Sequence, residues 1–308
     1  MIKQYIYNFL SKIYAFIKII KRNWEDEGLI LQAKTLMTSK DWKSSIKDVG
    51  RIEDKEFKVY SQFGDDGIIQ FLVSILNISN KYFIEFGVAD FFESNCHFLM
   101  VNNNWKGLVI DGSKKNIQRV KNSSIYSRYN LNAINEFITK DNIMDIISSE
   151  IEEKIGLLHI DLDGNDYWIL NEIDFDLLSP EIVILEYNYI FGHERKITVP
   201  YDESFNRFKN HHCGLFFGAS LAALNNSMLD KGYIFIGSNL ARNNAYFIKS
   251  NKSELINKVG LSAEYVDANF RISRDKKGVL DFIQPNHIIE DMRGLKVYNV
   301  ETNELEEF

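Results

Sequence analysis

From Phe57 onward the chain alternates short apolar runs with segments of helical period, and this alternation limits the fold more tightly than any other feature. A run such as Phe83-Ile84-Glu85-Phe86 is too short for a helix and apolar on both sides, so it reads as a strand covered on both faces. Strands that alternate with helices pair in parallel, because each crossover returns over the sheet. The expected elements are helix Asp66–Leu76, strand Tyr82–Phe86, helix Glu93–Asn104, strand Gly107–Ile110 and helix Lys114–Lys121. A strand within Tyr129–Ile138, helix Asp141–Ile151, strand Gly156–Ile160, helix Tyr167–Ile173 and strand Ile182–Tyr187 follow. After an insertion, Asn188–Gly214, comes a helix over Ser220–Asp230 with Gly232 just past its end. Tyr233–Gly237 and Ala245–Lys249, parted by a polar turn, read as an antiparallel hairpin.

Charge and composition remove several function classes. A net charge of −7 argues against a nucleic-acid binder, which would show a basic face. The two cysteines, Cys96 and Cys213, form no CxxC and suit a reducing cytoplasm better than a disulfide-stapled secreted fold. Residues 1–24 are basic, with Lys3, Lys12, Lys18, Lys21 and Arg22 and no acid. Ile2, Tyr5, Ile6, Phe9, Leu10, Ile13, Phe16, Ile17 and Ile20 repeat there at helical spacing, and Lys12 and Lys18 break any membrane span. This amphipathic helix is expected to pack on the chain's own core or across an oligomer, or to lie on the inner face of the membrane. The chain divides into a helical extension over 1–59, where a second helix covers Glu25–Met37 and a charged connector Thr38–Lys58, a catalytic domain over 60–251, and a C-terminal cap over 252–308.

Four strand ends carry the chemistry. In open α/β sheets a ligand lies beyond the carboxyl ends of the strands, where the strand order reverses. Gly87, closing Phe83-Ile84-Glu85-Phe86-Gly87, sits where a side chain would block that approach, although a glycine that merely ends a strand explains it too. The GxGxxG of dinucleotide binders is absent. Asp111-Gly112, at the next strand end, offers a carboxylate to a ribose diol; the competing account is an exposed Asp before a helix cap at Ser113. Asp161, Asp163 and Asp166 crowd a third strand end, suited to general-base work or to a hard cation, with Asp166 or Asn165 also able to cap a helix. Glu186 and Asn188 end the fourth, so Asp161, Glu186 and Asn188 could converge on Mg²⁺ or another divalent cation. His193 is a candidate base, against an ordinary exposed loop histidine, and His211-His212-Cys213 lacks a second cluster with zinc spacing.

Taken together, Tyr60-Ser61-Gln62-Phe63-Gly64-Asp65-Asp66-Gly67, Phe83-Ile84-Glu85-Phe86-Gly87, Ile160-Asp161-Leu162-Asp163-Gly164-Asn165-Asp166-Tyr167-Trp168 and Leu185-Glu186-Tyr187-Asn188 resemble the FkbM-type methyltransferases. Within them the resemblance is to a bacterial branch often found with surface-glycan genes. Val199-Pro200-Tyr201-Asp202, Phe217-Gly218-Ala219-Ser220-Leu221 and Lys231-Gly232-Tyr233 extend it, from about Tyr60 to Lys249. The resemblance implies an α/β, Rossmann-like class I methyltransferase fold: a seven-stranded, mostly parallel sheet with a terminal antiparallel hairpin, preceded here by the helical extension. It implies S-adenosyl-L-methionine (SAM) as cofactor and O-methylation, often of a sugar hydroxyl. The cofactor residues expected are Gln62, Glu85, Gly87, Asp111 and Gly112, and the catalytic ones Asp161, Asp163 and His193. Val88-Ala89-Asp90 departs from the glycine-richer turn of many methyltransferases. An NAD-dependent sugar oxidoreductase and a non-catalytic partner subunit are the alternatives.

Overall fold

The computed structural model describes residues 26–151, 154–266, 268 and 272–308. The expected helix of residues 1–24 lies outside the described residues. Among those described, no helix is long and apolar enough to cross a membrane.

The central sheet has seven strands: β1 (Tyr82–Phe86), β2 (Lys106–Asp111), β3 (Leu131–Asn135), β4 (Leu157–Ile160), β5 (Ile182–Glu186), β7 (Tyr233–Ser238) and β8 (Asn244–Lys249). They lie in the order β3-β2-β1-β4-β5-β8-β7. The first five are parallel; β8 runs antiparallel to both β5 and β7. This is the Rossmann-like methyltransferase fold, and β8 inserted between β5 and β7 is what separates it from a dinucleotide-binding sheet.

Period-2 alternation sorts the strand residues onto two cores. Ile84, Phe86, Leu158, Ile160, Val183 and Leu185 face one. Phe83, Val109, Leu157, Ile182 and Ile184 face the other. The helix Asp65–Leu76 covers the second face with Ile68, Phe71, Leu72 and Leu76, none more than 1% exposed. Each such side chain contributes about 1.5–3 kcal/mol by leaving water.

One expectation needs correction, and two connecting segments carry structure of their own. The helix expected from Glu93 begins at His97. The amides of Asn95 and Cys96 and the hydroxyl of Ser94 donate to the Glu85 carboxylate instead, which holds that stretch in a turn. The connector Thr38–Lys58 is not structureless: it contains the helix Lys40–Ser45, capped by Ser39, and a 3₁₀ turn at Ile52–Lys55. Trp42, Val49 and Ile52 join the second core, and the helix passes so close that a Cβ on Gly67 would lie 2.1 Å from the Lys55 carbonyl oxygen. The insertion after β5 also holds structure. Its strand β6 (Ile197–Thr198) pairs with β9 (Lys296–Asn299), which pairs with β10 (Glu304–Glu307), forming a small antiparallel sheet. Trp168 fastens this sheet to the domain, its ring 4.9 Å from Tyr298 and its indole N–H on the Val199 carbonyl.

Candidate active site

Strand register builds the site. Phe86 pairs with Ile110, Glu85 with His159, and Ile160 with Leu185. One residue further along, Asp111, Gly87, Asp161 and Glu186 therefore form a single row across β2, β1, β4 and β5, at the point where the strand order reverses. Gly87 has φ +70°, and a Cβ there would lie 1.7 Å from the Asp161 carbonyl oxygen. No other residue fits, because both the backbone conformation and the contact with β4 forbid a side chain.

Three cleft lobes meet over this row, and all three are lined by Gly87 and Asp161. One, of about 380 Å³, lies against Gln62 and the turn Val88–Asp90. The second, about 320 Å³, carries Asp111, Gly112, Asn116 and Phe137. The third, about 370 Å³, is walled by Asp163, Glu186, Tyr189, Arg207, Phe208 and Phe217. Gln62 sits at the junction of the first and third.

The carboxylates in and around the row have different surroundings. Asp111 accepts from the amides of Ala89 (2.9 Å) and Ser113 (2.7 Å) and from the Asn116 side chain (3.3 Å). A carboxylate has about four lone-pair sites, so it keeps room for one further donor while bracing the Gly87 turn. Glu85 faces the opposite way, into the second core. It accepts from Ser94, Asn95, Cys96 and, at 3.0 Å, the ring of His159. Burial alone would raise the Glu85 pKa, but His159 and these donors outweigh it and hold the group below its usual range. Burial likewise opposes a charge on His159, and Glu85 overcomes it and raises that pKa. Glu85 lines none of the three lobes.

Asp161 lacks such support. Burial, then the charge of Asp163, pushes its pKa up to about 6. Glu186 is pushed well above its usual value by burial and then by Asp161, Asp163 and Asp166. One Glu186 oxygen is buried with no partner. Asp166, raised to about 7 by burial and then by Asp161, folds the loop by accepting the amides of Leu162 and Gly164. Asp163, in the left-handed region at φ +55°, turns outward to pair with Arg207, whose guanidinium lies 4.5 Å from the Phe217 ring centroid.

Two expected residues stand apart from this group. Asn188 donates to the carbonyls of Leu215 and Phe217 and accepts from the Ile190 amide, so its side chain is spent on the insertion. The third carboxylate beside Asp161 and Glu186 is instead Asp163, with ligand oxygens of the three within 4.8 Å of one another. That all-oxygen set is of the kind Mg²⁺ or Ca²⁺ takes. His193 is exposed, stacks on Tyr265 at 3.7 Å and lines none of the lobes.

Sequence reasoning passed over the roles of His159, Arg207 and the Asp65-Asp66 pair. Asp66 is buried, gathers the amides of Val59, Tyr60 and Ser61 on one oxygen, and is raised to about 6 by burial. Asp65 takes Tyr246, Asn244 and Asn239 and so ties the helix to the β7–β8 hairpin. The two acids open the helix directly after Gly64, but nothing local tells which of their oxygens are buried.

No family model and no curated protein matches the chain. Among solved structures it is similar to a S-adenosylmethionine-dependent methyltransferase from Clostridium acetobutylicum, at 11% identity over 60% of this chain and 90% of that one, TM-score 0.37. It is similar to the O-methyltransferase from Bacillus cereus in complex with SAH, at 12% identity over 60% and 80%, TM-score 0.37. The plantazolicin methyltransferase BamL gives 16% identity over 71% and 79%, TM-score 0.36. It is the strand order, rather than these likenesses, that assigns the fold.

Proposed function

We propose that the chain is a SAM-dependent O-methyltransferase whose acceptor is a sugar hydroxyl of a bacterial surface glycan or its precursor. The observation that carries this reading is the row Asp111–Gly87–Asp161–Glu186 with a separate cleft lobe on each side of it. Gly87 leaves bare backbone for close approach, Asp111 keeps an acceptor site for a ribose hydroxyl, and Gln62, Ala89 and Gly112 complete that side. SAM, when bound, supplies a methyl group on a sulfonium, an electrophile that needs an oxygen nucleophile in line with it.

The protein's part is to hold that oxygen and take its proton. Asp161, ionised above about pH 6, is the proton acceptor. Glu186 stabilises the Asp161 carboxylate by hydrogen bonding. Arg207 balances Asp163, while Phe208, Phe217 and Tyr189 offer rings on which a sugar face packs. A cation on Asp161, Asp163 and Glu186 would lower the acceptor's pKa; with Asp161 as base, none is required. The two unpaired cysteines suit a cytoplasmic enzyme, with residues 1–24 as its contact to a membrane surface or a second copy.

The test is calorimetry of purified protein with SAM, S-adenosylhomocysteine and NAD, followed by mass spectrometry of glycans from a deletion strain. The reading expects micromolar SAM binding and loss of 14 daltons from a glycan fragment. Binding of NAD and not SAM would replace it by the oxidoreductase; SAM binding with an unchanged glycan profile would remove the proposed acceptor.

A further inference from the structure

Beyond Arg207 and Phe208 the same segment runs into His211-His212-Cys213. Facing it is the helix Pro285–Met292, which carries Asp291. One Asp291 carboxylate oxygen lies 3.2 Å from Nε2 of His212 and 3.7 Å from Nε2 of His211. The three candidate ligand atoms all fall within 4.8 Å of one another. Around a tetrahedral ion with bonds of about 2.0–2.2 Å, neighbouring ligand atoms are about 3.3–3.5 Å apart, and the two measured separations straddle that edge.

His211 is aimed through its other nitrogen. Nδ1 lies 2.9 Å from Sγ of Cys213, a sulfur that also accepts the Leu215 amide at 3.3 Å. In the tautomer whose Nδ1–H donates a hydrogen bond to that sulfur, Nε2 keeps its lone pair toward His212 and Asp291. Metal-binding histidines carry such a second partner. Side-chain exposure rises from 11% at His211 to 29% at His212 and 41% at Asp291, which gives an ion a path from solvent.

We propose that His211, His212 and Asp291 bind a divalent transition ion of the zinc class. The ion pins the wall of the acceptor lobe formed by Arg207 and Phe208 to the C-terminal helix Pro285–Met292. Two imidazoles and one carboxylate select such an ion over Mg²⁺ or Ca²⁺, and water fills the fourth position. This site shares no ligand with the carboxylates of the crevice.

Untagged full-length protein, stripped with EDTA and moved to chelator-free buffer, is titrated with Zn²⁺ in a calorimeter and with Co²⁺ in a spectrophotometer. The expected result is one tight Zn²⁺ site and the visible absorption of four-coordinate Co²⁺. His212→Ala and Asp291→Asn each weaken Zn²⁺ binding by more than about 100-fold, beyond the cost of losing an outer partner, with circular dichroism unchanged. Asp161→Asn leaves Zn²⁺ affinity as it was. Absence of a tight site in the unaltered protein overturns the assignment. So does tight binding that survives both His212→Ala and Asp291→Asn, or binding that is lost in Asp161→Asn. Because Asp291 is substantially exposed, Asp291→Asn keeps the test decisive if His212→Ala fails to fold.

Discussion

The two halves of the sheet's carboxyl edge use the same side chain to opposite ends. On the β1–β2 side, Glu85 accepts from Ser94, Asn95, Cys96 and His159 and stays ionised in the core, and Asp111 accepts from three donors. On the β4–β5 side, half-buried Asp161 and buried Glu186 sit among other acids with few donors, and their pKa values rise. A buried carboxylate given a countercharge as well as donors stays ionised, whereas donors alone leave Asp66 and Asp166 raised to about 6 and 7. The difference lies in whether a partner such as His159 reaches the carboxylate, which residue type does not disclose.

Four measurements break or sharpen that contrast, from the largest expected effect to the smallest. Asp161→Asn should lower methyl transfer by about 10²–10⁴-fold, the usual contribution of a positioned base, with little change in melting temperature; activity within a few-fold of normal would deny Asp161 the proton. Glu85→Ala should do the reverse, costing about 3–5 kcal/mol of stability because it leaves His159 and the loop amides buried without their partner. Denaturant unfolding measures that cost, and a loss under 1 kcal/mol would show that the buried pair is no brace. Asp111→Ala should weaken SAM binding by about 10- to 150-fold, or 1.5–3 kcal/mol, through a charge-assisted bond to ribose; calorimetry with unchanged affinity removes Asp111 from the site.

The smallest effect is a pH slope. Asp66, Asp161 and Asp166 are raised to about 6, 6 and 7, so the folded chain holds protons that the unfolded chain has released. Their stabilisation is complete below the ordinary aspartate range and is lost as pH rises through 6 to 7. Glu85 has the opposite sign, and its contribution is lost only as pH falls below the usual carboxylate range. Unfolding free energy should therefore fall from pH 5 to pH 8, with a shallower slope in Asp161→Asn. A stability that climbs with pH over this interval contradicts the proton-holding side of the comparison.

Much of this architecture was legible because its signals are periodic. The apolar runs at Phe83–Phe86 and Ile182–Leu185 marked the strands, and the polar turn before Ala245 marked the hairpin that defines the sheet. Gly87, Asp111 and Asp161 were readable as strand-end residues, and register then set them in one row. What stayed hidden depended on distant partners. Glu85 was expected to hold the cofactor, and only His159, 74 residues away, shows it spent in the core instead. Asn188 looked available until the carbonyls of Leu215 and Phe217 claimed it. His193 carried the right chemistry on a loop whose direction no local pattern sets.

The pairing of β6 with β9 has a consequence for how the molecule comes into being. Ile197 meets Asn299 and Thr198 meets Tyr298 across about 100 residues of intervening chain. During synthesis from the N-terminus, β1 to β4, with Gly87 and Asp111, emerge well before the chain that locks the insertion. Until residue 296 is made, Ile197–Thr198 is held on one side only, where the Ser220 amide donates to the Ile197 carbonyl and the Val199 amide to the Gly218 carbonyl, and its other edge stands open. On the proposed function, the strand ends assigned to the cofactor are therefore synthesised before the strand that closes the insertion beside the acceptor lobe.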